Sequence, residues 1–120
     1  MDKKVENISS LLKEWENSKV QLEALFRERD YQNAKVLMEK GILMFIQFLS
    51  WSNELPATLD EPFNSNKFEF KPVNVEERLG FIMSRPNLYH SYRQLSELMV
   101  EQEKLYSKRS ILKKASKPKG

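Results

Sequence analysis

Ile42-Leu-Met-Phe-Ile-Gln-Phe-Leu-Ser-Trp51 is the stretch that decides the fold. It is apolar on nearly every face, and a helix of that kind sits at the centre of a helical assembly. Its length is about half of the roughly 20 residues that a membrane span requires. The sequence therefore predicts a buried helix and no membrane anchor. Upstream, Asp30 is placed to accept from the unpaired amides of a first turn, so it is the expected N-cap of a helix over residues 31–53. The first half of that helix is amphipathic through Ala34, Leu37 and Met38. Gly41 costs about 1 kcal/mol against alanine inside a helix, which a close helix crossing or a kink would explain. Leu55-Pro56 is expected to close the helix, because proline restricts the residue before it and cannot continue the hydrogen-bond ladder.

Further outward on the N-terminal side, Val5, Ile8, Leu12, Trp15, Leu22 and Phe26 recur at steps of three and four, broken only at Lys19. This is one stripe of an amphipathic helix. Leu11, Val20 and Leu25 widen it, which predicts packing against two neighbours. On the C-terminal side, residues 57–73 are rich in Pro, Asp, Asn and Ser with Phe63, Phe68 and Phe70 among them. The alternation over residues 67–71 has no second strand-like segment to pair with, so a loop pinned by its aromatics is expected. Asn74 followed by Glu77 reads as a capping box, opening a short helix to about Met83 with Leu79, Phe81 and Ile82 on its apolar side. Ser84-Arg85-Pro86-Asn87 breaks the chain. A last helix over residues 88–114 places Leu88, Tyr92, Leu95, Met99 and Leu105/Tyr106 on one face, with Leu98 beside it. The predicted fold is all-α, a small bundle of about four helices with one long irregular loop over about residues 56–73. Residues 1–115 are read as a single helical domain and 116–120 as a disordered basic tail.

Composition agrees with this reading and removes several chemistries. The 120 residues include only 3 glycines, too few for the recurrent turns of a sandwich or barrel. With no cysteine and one histidine, thiolate zinc sites, disulfides, cysteine nucleophiles and multi-histidine metal centres are excluded. No cofactor or metal is expected. The N-terminal Met-Asp-Lys-Lys-Val-Glu has no apolar run after it, so no secretory signal is expected and the expected location is cytoplasmic. The net charge is +3, and the positive excess is C-terminal: residues 101–120 hold seven Lys/Arg against two Glu.

Three sets of residues are candidates for function. Lys104, Lys108, Arg109, Lys113 and Lys114, continued by Lys117 and Lys119, would neutralise phosphates of a nucleic acid, a contact that carries affinity without sequence information. The same cations also complement a helix dipole and keep a surface helix soluble. Arg85 and His90, at an Arg-x4-His spacing, resemble the nuclease motif of HEPN-type helical RNases. There the histidine would serve as general base and the arginine would steady the phosphate; Pro86 places the motif across a helix start. The alternative is a solvated Arg85 and a first-turn polar His90. The pairs Glu76-Glu77 and Asp60-Glu61 fit a helix first turn and a loop, not an acid/base pair. Trp15 and Trp51 read as core.

The run Pro72-Val-Asn74-Val-Glu-Glu-Arg78-Leu79, then Arg85-Pro-x-x-Tyr89-His-Ser91-Tyr92-x-Gln94-Leu95-x-x-Leu98 and Glu101-x-x-Lys104, resembles the YpoC-like family of Bacillus-type bacteria. The resemblance covers the last third of the chain, implies a helical bacterial protein, and brings no established activity. It also hints at a DNA-associated complex and singles out Arg78, Tyr89, Ser91, Tyr92 and Gln94. Arg78 and Gln94 would alternatively tie the short helix to the long one. The leading expectation is a non-enzymatic helical module. It would bind a protein partner or itself through an exposed helix face or through the loop carrying Phe68 and Phe70. Nucleic-acid binding through the basic C-terminal helix is the alternative, and an Arg85/His90 RNase is third.

Overall fold

The computed structural model describes residues 3–57 and 63–115, with side chains over 6–57 and 63–112. Four helices follow one another: α1 (Lys3–Arg27), α2 (Tyr31–Ser52), α3 (Val75–Ser84) and α4 (Tyr89–Ala115), with a single 3-10 turn at Ser65–Lys67 before α3. There is no strand among the described residues, so the 67–71 alternation is loop.

α1 and α2 form an antiparallel hairpin. Arg29 turns the chain in the left-handed region at φ 59°, and Asp30 caps α2 as expected, accepting from the Asn33 amide at 3.3 Å. α4 lies beside both. It runs against α1, since Tyr92 reaches Glu23, and along α2, since Leu95 lies at Gly41 and Gln102 at Ser52. α3 folds back onto α4 through the turn at 85–88.

The central stretch behaves as its composition requires. Phe45, Phe48 and Leu49 are wholly buried, with Ile42 and Met44 close behind and Trp51 half-buried against them. Leu43 is the exception and faces solvent. Trp15 of α1, Met38 of α2, Leu79 and Ile82 of α3, and Leu95, Leu98 and Met99 of α4 complete one core. Each such side chain stabilises the fold by about 1.5–3 kcal/mol through apolar burial. Gly41 sits where α1, α2 and α4 meet: a Cβ there would lie 2.9 Å from Trp15 Cζ3 and 3.1 Å from Leu95 Cδ2. Close crossing, and not a kink, is the reason for this glycine, since α2 is continuous through it.

Several boundary expectations are corrected. Val20 is 72% exposed and does not widen the α1 stripe; Ser18 takes the inward position instead. α2 ends before Pro56. The ending is local: Glu54 turns left-handed at φ 58° and Leu55 N donates back to the Ser50 carbonyl at 2.9 Å. Asn74 precedes α3 in the left-handed conformation, φ 55°, and makes no side-chain cap bond, so the capping box does not form. Leu88 is exposed, outside the α4 core face. The side chain of Val5, the pair Asp60-Glu61 and the 116–120 tail lie outside the described residues.

Candidate functional site

α4 is the element on which the candidate residues converge, and its two sides differ in kind. Leu95, Met99, Gln102, Tyr106 and Arg109, spaced four, three, four and three, form the side turned to the bundle. Gln102 is fully buried and donates to Ser52 Oγ at 2.7 Å and to the Phe70 carbonyl at 3.0 Å. Arg109 donates to the Ser52 carbonyl and to Glu54 Oε2, each at 2.7 Å, and its guanidinium lies 5.3 Å over the Phe70 ring. Arg109 thus closes the C-terminal end of α2 and is spent on structure.

The opposite side of α4 faces outward. Val100, Glu103, Lys104, Ser107, Lys108, Ile111 and Leu112 line a shallow groove of about 620 Å³. Val100, Ile111 and Leu112 are 46%, 66% and 52% exposed. This apolar surface is bordered by the ammonium groups of Lys104 and Lys108. Glu103 sits on the α1 side, where burial first and the nearby Glu16 second raise its carboxyl above the ordinary range, against the lowering effect of Lys19. The side chains of Lys113 and Lys114 lie outside the described ones.

The residues of the 72–104 run are mostly ties between elements. Arg78 makes a two-pronged bond to Glu101, at 2.9 and 2.6 Å, and a third to the Val73 carbonyl at 3.1 Å. The pair raises the Arg78 pKa and lowers that of Glu101, in each case chiefly through the shared hydrogen bond. So Arg78 does tie α3 to α4. Gln94 does not; its amide reaches His90 Nε2 at 3.2 Å within α4. Ser91 is buried and donates to the Arg85 carbonyl at 2.5 Å, fixing the α3–α4 turn. Tyr92 is buried, donates to Glu23 Oε2 at 2.8 Å, and has its hydroxyl pKa raised by desolvation and by that carboxylate.

The loop aromatics divide in the same way. Phe68 is buried with Phe63 beside it at 6.1 Å, so Phe68 is core and offers no exposed ring to a partner. Phe70 is half-buried: Asn53 Oδ1 accepts from its amide at 2.7 Å and Asn53 Nδ2 donates to its carbonyl at 2.8 Å.

Arg85 and His90 are brought to one ring. The guanidinium lies 5.3 Å from the Phe81 centroid and the imidazole meets the same ring edge-on at 5.7 Å. Nearby, Tyr89 and Tyr31 are both about half exposed, 48% and 47%, and both contact the Phe26 ring. Together with Glu23 and Arg27 these rings line a second, smaller groove. The Tyr89 hydroxyl is also close enough to Arg93 to raise its pKa. Arg27, Tyr31 and Arg93 were not singled out by sequence. Their signal is spatial, since 27–31 and 85–93 are distant in the chain. Val100 and Ile111 were not singled out either, although their signal is local, since they fall off the Leu95–Met99 stripe.

Among the described residues no group of three or more His, Asp or Glu is placed to hold a metal, and no helix is long and apolar enough to cross a membrane. Glu76 accepts from the Ser65 amide at 3.2 Å, which ties the 3-10 turn to the start of α3. Comparison with known proteins gives a family model, YpoC-like protein, that matches residues 5–114. The chain is also 32% identical over 100 residues to the uncharacterized protein YpoC of Bacillus subtilis strain 168, covering 82% of this chain and 61% of that protein. It thus spans about three-fifths of the length of the curated relative it matches. No solved structure matches.

Proposed function

The chain belongs to the YpoC-like family, a membership that names no chemistry, and from its own geometry we propose that it is a non-enzymatic helical interaction module. Its docking face is the outward side of the second half of α4. The observation that carries this reading is the placement of Val100, Ile111 and Leu112: three large apolar side chains stay wet on a helix whose other side packs on the core through Leu95, Leu98, Met99 and Tyr106. Exposed large apolar side chains grouped in one groove with charged neighbours are a mark of interaction sites. A helix laid into such a groove is a recurrent recognition mode. Lys104 and Lys108 select the occupant, an amphipathic helix of a protein partner whose apolar side is flanked by carboxylates.

Nucleic-acid contact through the same basic residues has less support. Arg109 is withdrawn from it by its bonds to Ser52 and Glu54, and Lys104 and Lys108 share their face of α4 with Val100, Ile111 and Leu112. An RNase centre at Arg85 and His90 has the least, because the imidazole packs edge-on against Phe81 and its Nε2 is engaged by the Gln94 amide.

The test is a titration of the protein with two synthetic amphipathic helices of identical apolar face, one flanked by glutamates and one by lysines. The acidic helix is expected to bind, and Ile111→Asp to weaken that binding at least about tenfold, the scale of one lost apolar anchor. Equal affinity for both helices, or none for either, would remove the reading.

A further inference from the structure

The chain holds six arginines, and the structure divides them sharply. Arg78 and Arg109 are ion-paired, to Glu101 and Glu54. The other four, Arg27, Arg29, Arg85 and Arg93, make no ion pair among the described residues, and all four belong to one end of the bundle. Arg27 and Arg29 stand at the α1–α2 turn and Arg85 at the α3–α4 turn. Arg93 is one helical turn into α4. The contact of Phe26 with Tyr89, ring centroids 5.6 Å apart, brings the two turns together.

Four carboxylates share this end, and two of them hold local bonds while keeping their charge. Both Asp30 oxygens are bonded to Asn33, at 3.3 and 2.7 Å. Glu23 holds the Tyr92 hydroxyl. Glu28 and Glu97 are exposed, so with Asp30 and with Glu23, which lines the groove itself, four carboxylates stand near the four guanidiniums. Guanidinium groups suit phosphate because they are flat, permanently charged and multiply donating. Beside them stand the half-exposed rings of Tyr31 and Tyr89, held at angles to Phe26 and not stacked on one another. Each therefore leaves ring surface in the groove lined by Arg27. Flat rings among arginines are what a base-and-phosphate chain needs: the bases stack and the backbone is neutralised.

We propose that the end of the bundle formed by the α1–α2 and α3–α4 turns, with Arg27, Arg29, Tyr31, Arg85, Tyr89 and Arg93, is a binding site for single-stranded nucleic acid. The site is separate from the outward face of α4, and stands or falls independently of it. Stacking, not base-edge readout, carries the contact, so pyrimidine strands of DNA and RNA bind alike. An acidic protein segment would use the arginines but leave the tyrosines idle, which is why the rings decide between the two.

The experiment is fluorescence anisotropy of the full chain with labelled oligo(dT) and oligo(U), at low and near-physiological salt. Binding is expected to weaken steeply with salt, with a logarithmic slope of up to about −3 for four neutralised phosphates on a single strand. Arg27→Glu with Arg93→Glu weakens it at least about tenfold at low salt. Tyr31→Ala weakens it roughly fivefold or more, the scale of one lost base stack. Lys104→Glu with Lys108→Glu leaves it within about twofold, that pair lying outside the site. Thermal melts of each variant verify that these exposed substitutions leave the fold intact. Absence of binding at low salt would overturn the proposal, as would binding that survives the arginine pair but not the lysine pair. Competition by polyglutamate as strong as by oligo(U), with Tyr31→Ala without effect, would overturn it in favour of an acidic protein ligand.

Discussion

Gly41 and Gly80 are both helical glycines, yet the space around them gives opposite signs to the same substitution. At Gly80 a Cβ meets nothing within 4 Å, so Gly80→Ala is expected to stabilise the protein by about 0.5–1 kcal/mol through backbone entropy. At Gly41 the same gain is outweighed by overpacking, which costs roughly 1–3 kcal/mol, because Trp15 and Leu95 are buried and have no room to withdraw. Gly41→Ala should lower stability by about 1 kcal/mol, and urea-unfolding midpoints of the two variants should move in opposite directions. The same contrast separates the basic residues of α4. Arg109→Ala removes two hydrogen bonds and a ring contact and leaves the Ser52 carbonyl short of a donor, a loss of about 1–2 kcal/mol. Lys104→Ala and Lys108→Ala should stay within about 0.5 kcal/mol. Net charge along the sequence treats all three alike; the three-and-four spacing continued from Leu95 through Gln102 separates them, because it turns Arg109 inward.

Among the elements, the apolar run at residues 42–51 and the Asp30 cap were legible because both depend on neighbours in sequence. The ends that depend on backbone conformation were not. A left-handed Glu54 stops α2 ahead of Pro56, and a left-handed Asn74 replaces the capping box before α3. Asparagine tolerates that conformation at little cost, and no residue pattern distinguishes it from a side-chain cap. The tie between α1 and α4 was equally hidden, since Glu23 and Tyr92 are far apart in the chain. It has a measurable consequence at high pH. The Tyr92 pKa is raised in the fold above its unfolded value of about 10, so the unfolded chain releases its proton first. The stability contributed by this group is fully present below about pH 10 and is lost as pH climbs from there through the folded pKa. In Tyr92→Phe, which keeps the buried ring, stability between pH 9 and 11, a window set by that ~10 reference value, should decline less steeply than in wild type. Parallel slopes would show that neither burial nor the bond to Glu23 holds the hydroxyl protonated.

At the scale of the molecule, one side of every helix is consumed by a shared core, and what is left over is distributed unevenly. Apolar and basic residues remain on the outer half of α4, arginines and tyrosines at the end where the two turns meet. The first surface was half visible in sequence, as a basic helix; its apolar content emerged once the core stripe fixed which residues point away. The second was invisible, because it is assembled from two turns that only the bundle brings together. The measurement that most directly tests the docking face is backbone amide shift mapping of the full chain during titration with the glutamate-flanked amphipathic helix. Shifts concentrated between Val100 and Leu112 are the predicted result. Shifts confined to the turns around Arg27 and Tyr89, or none at saturating peptide, would contradict it.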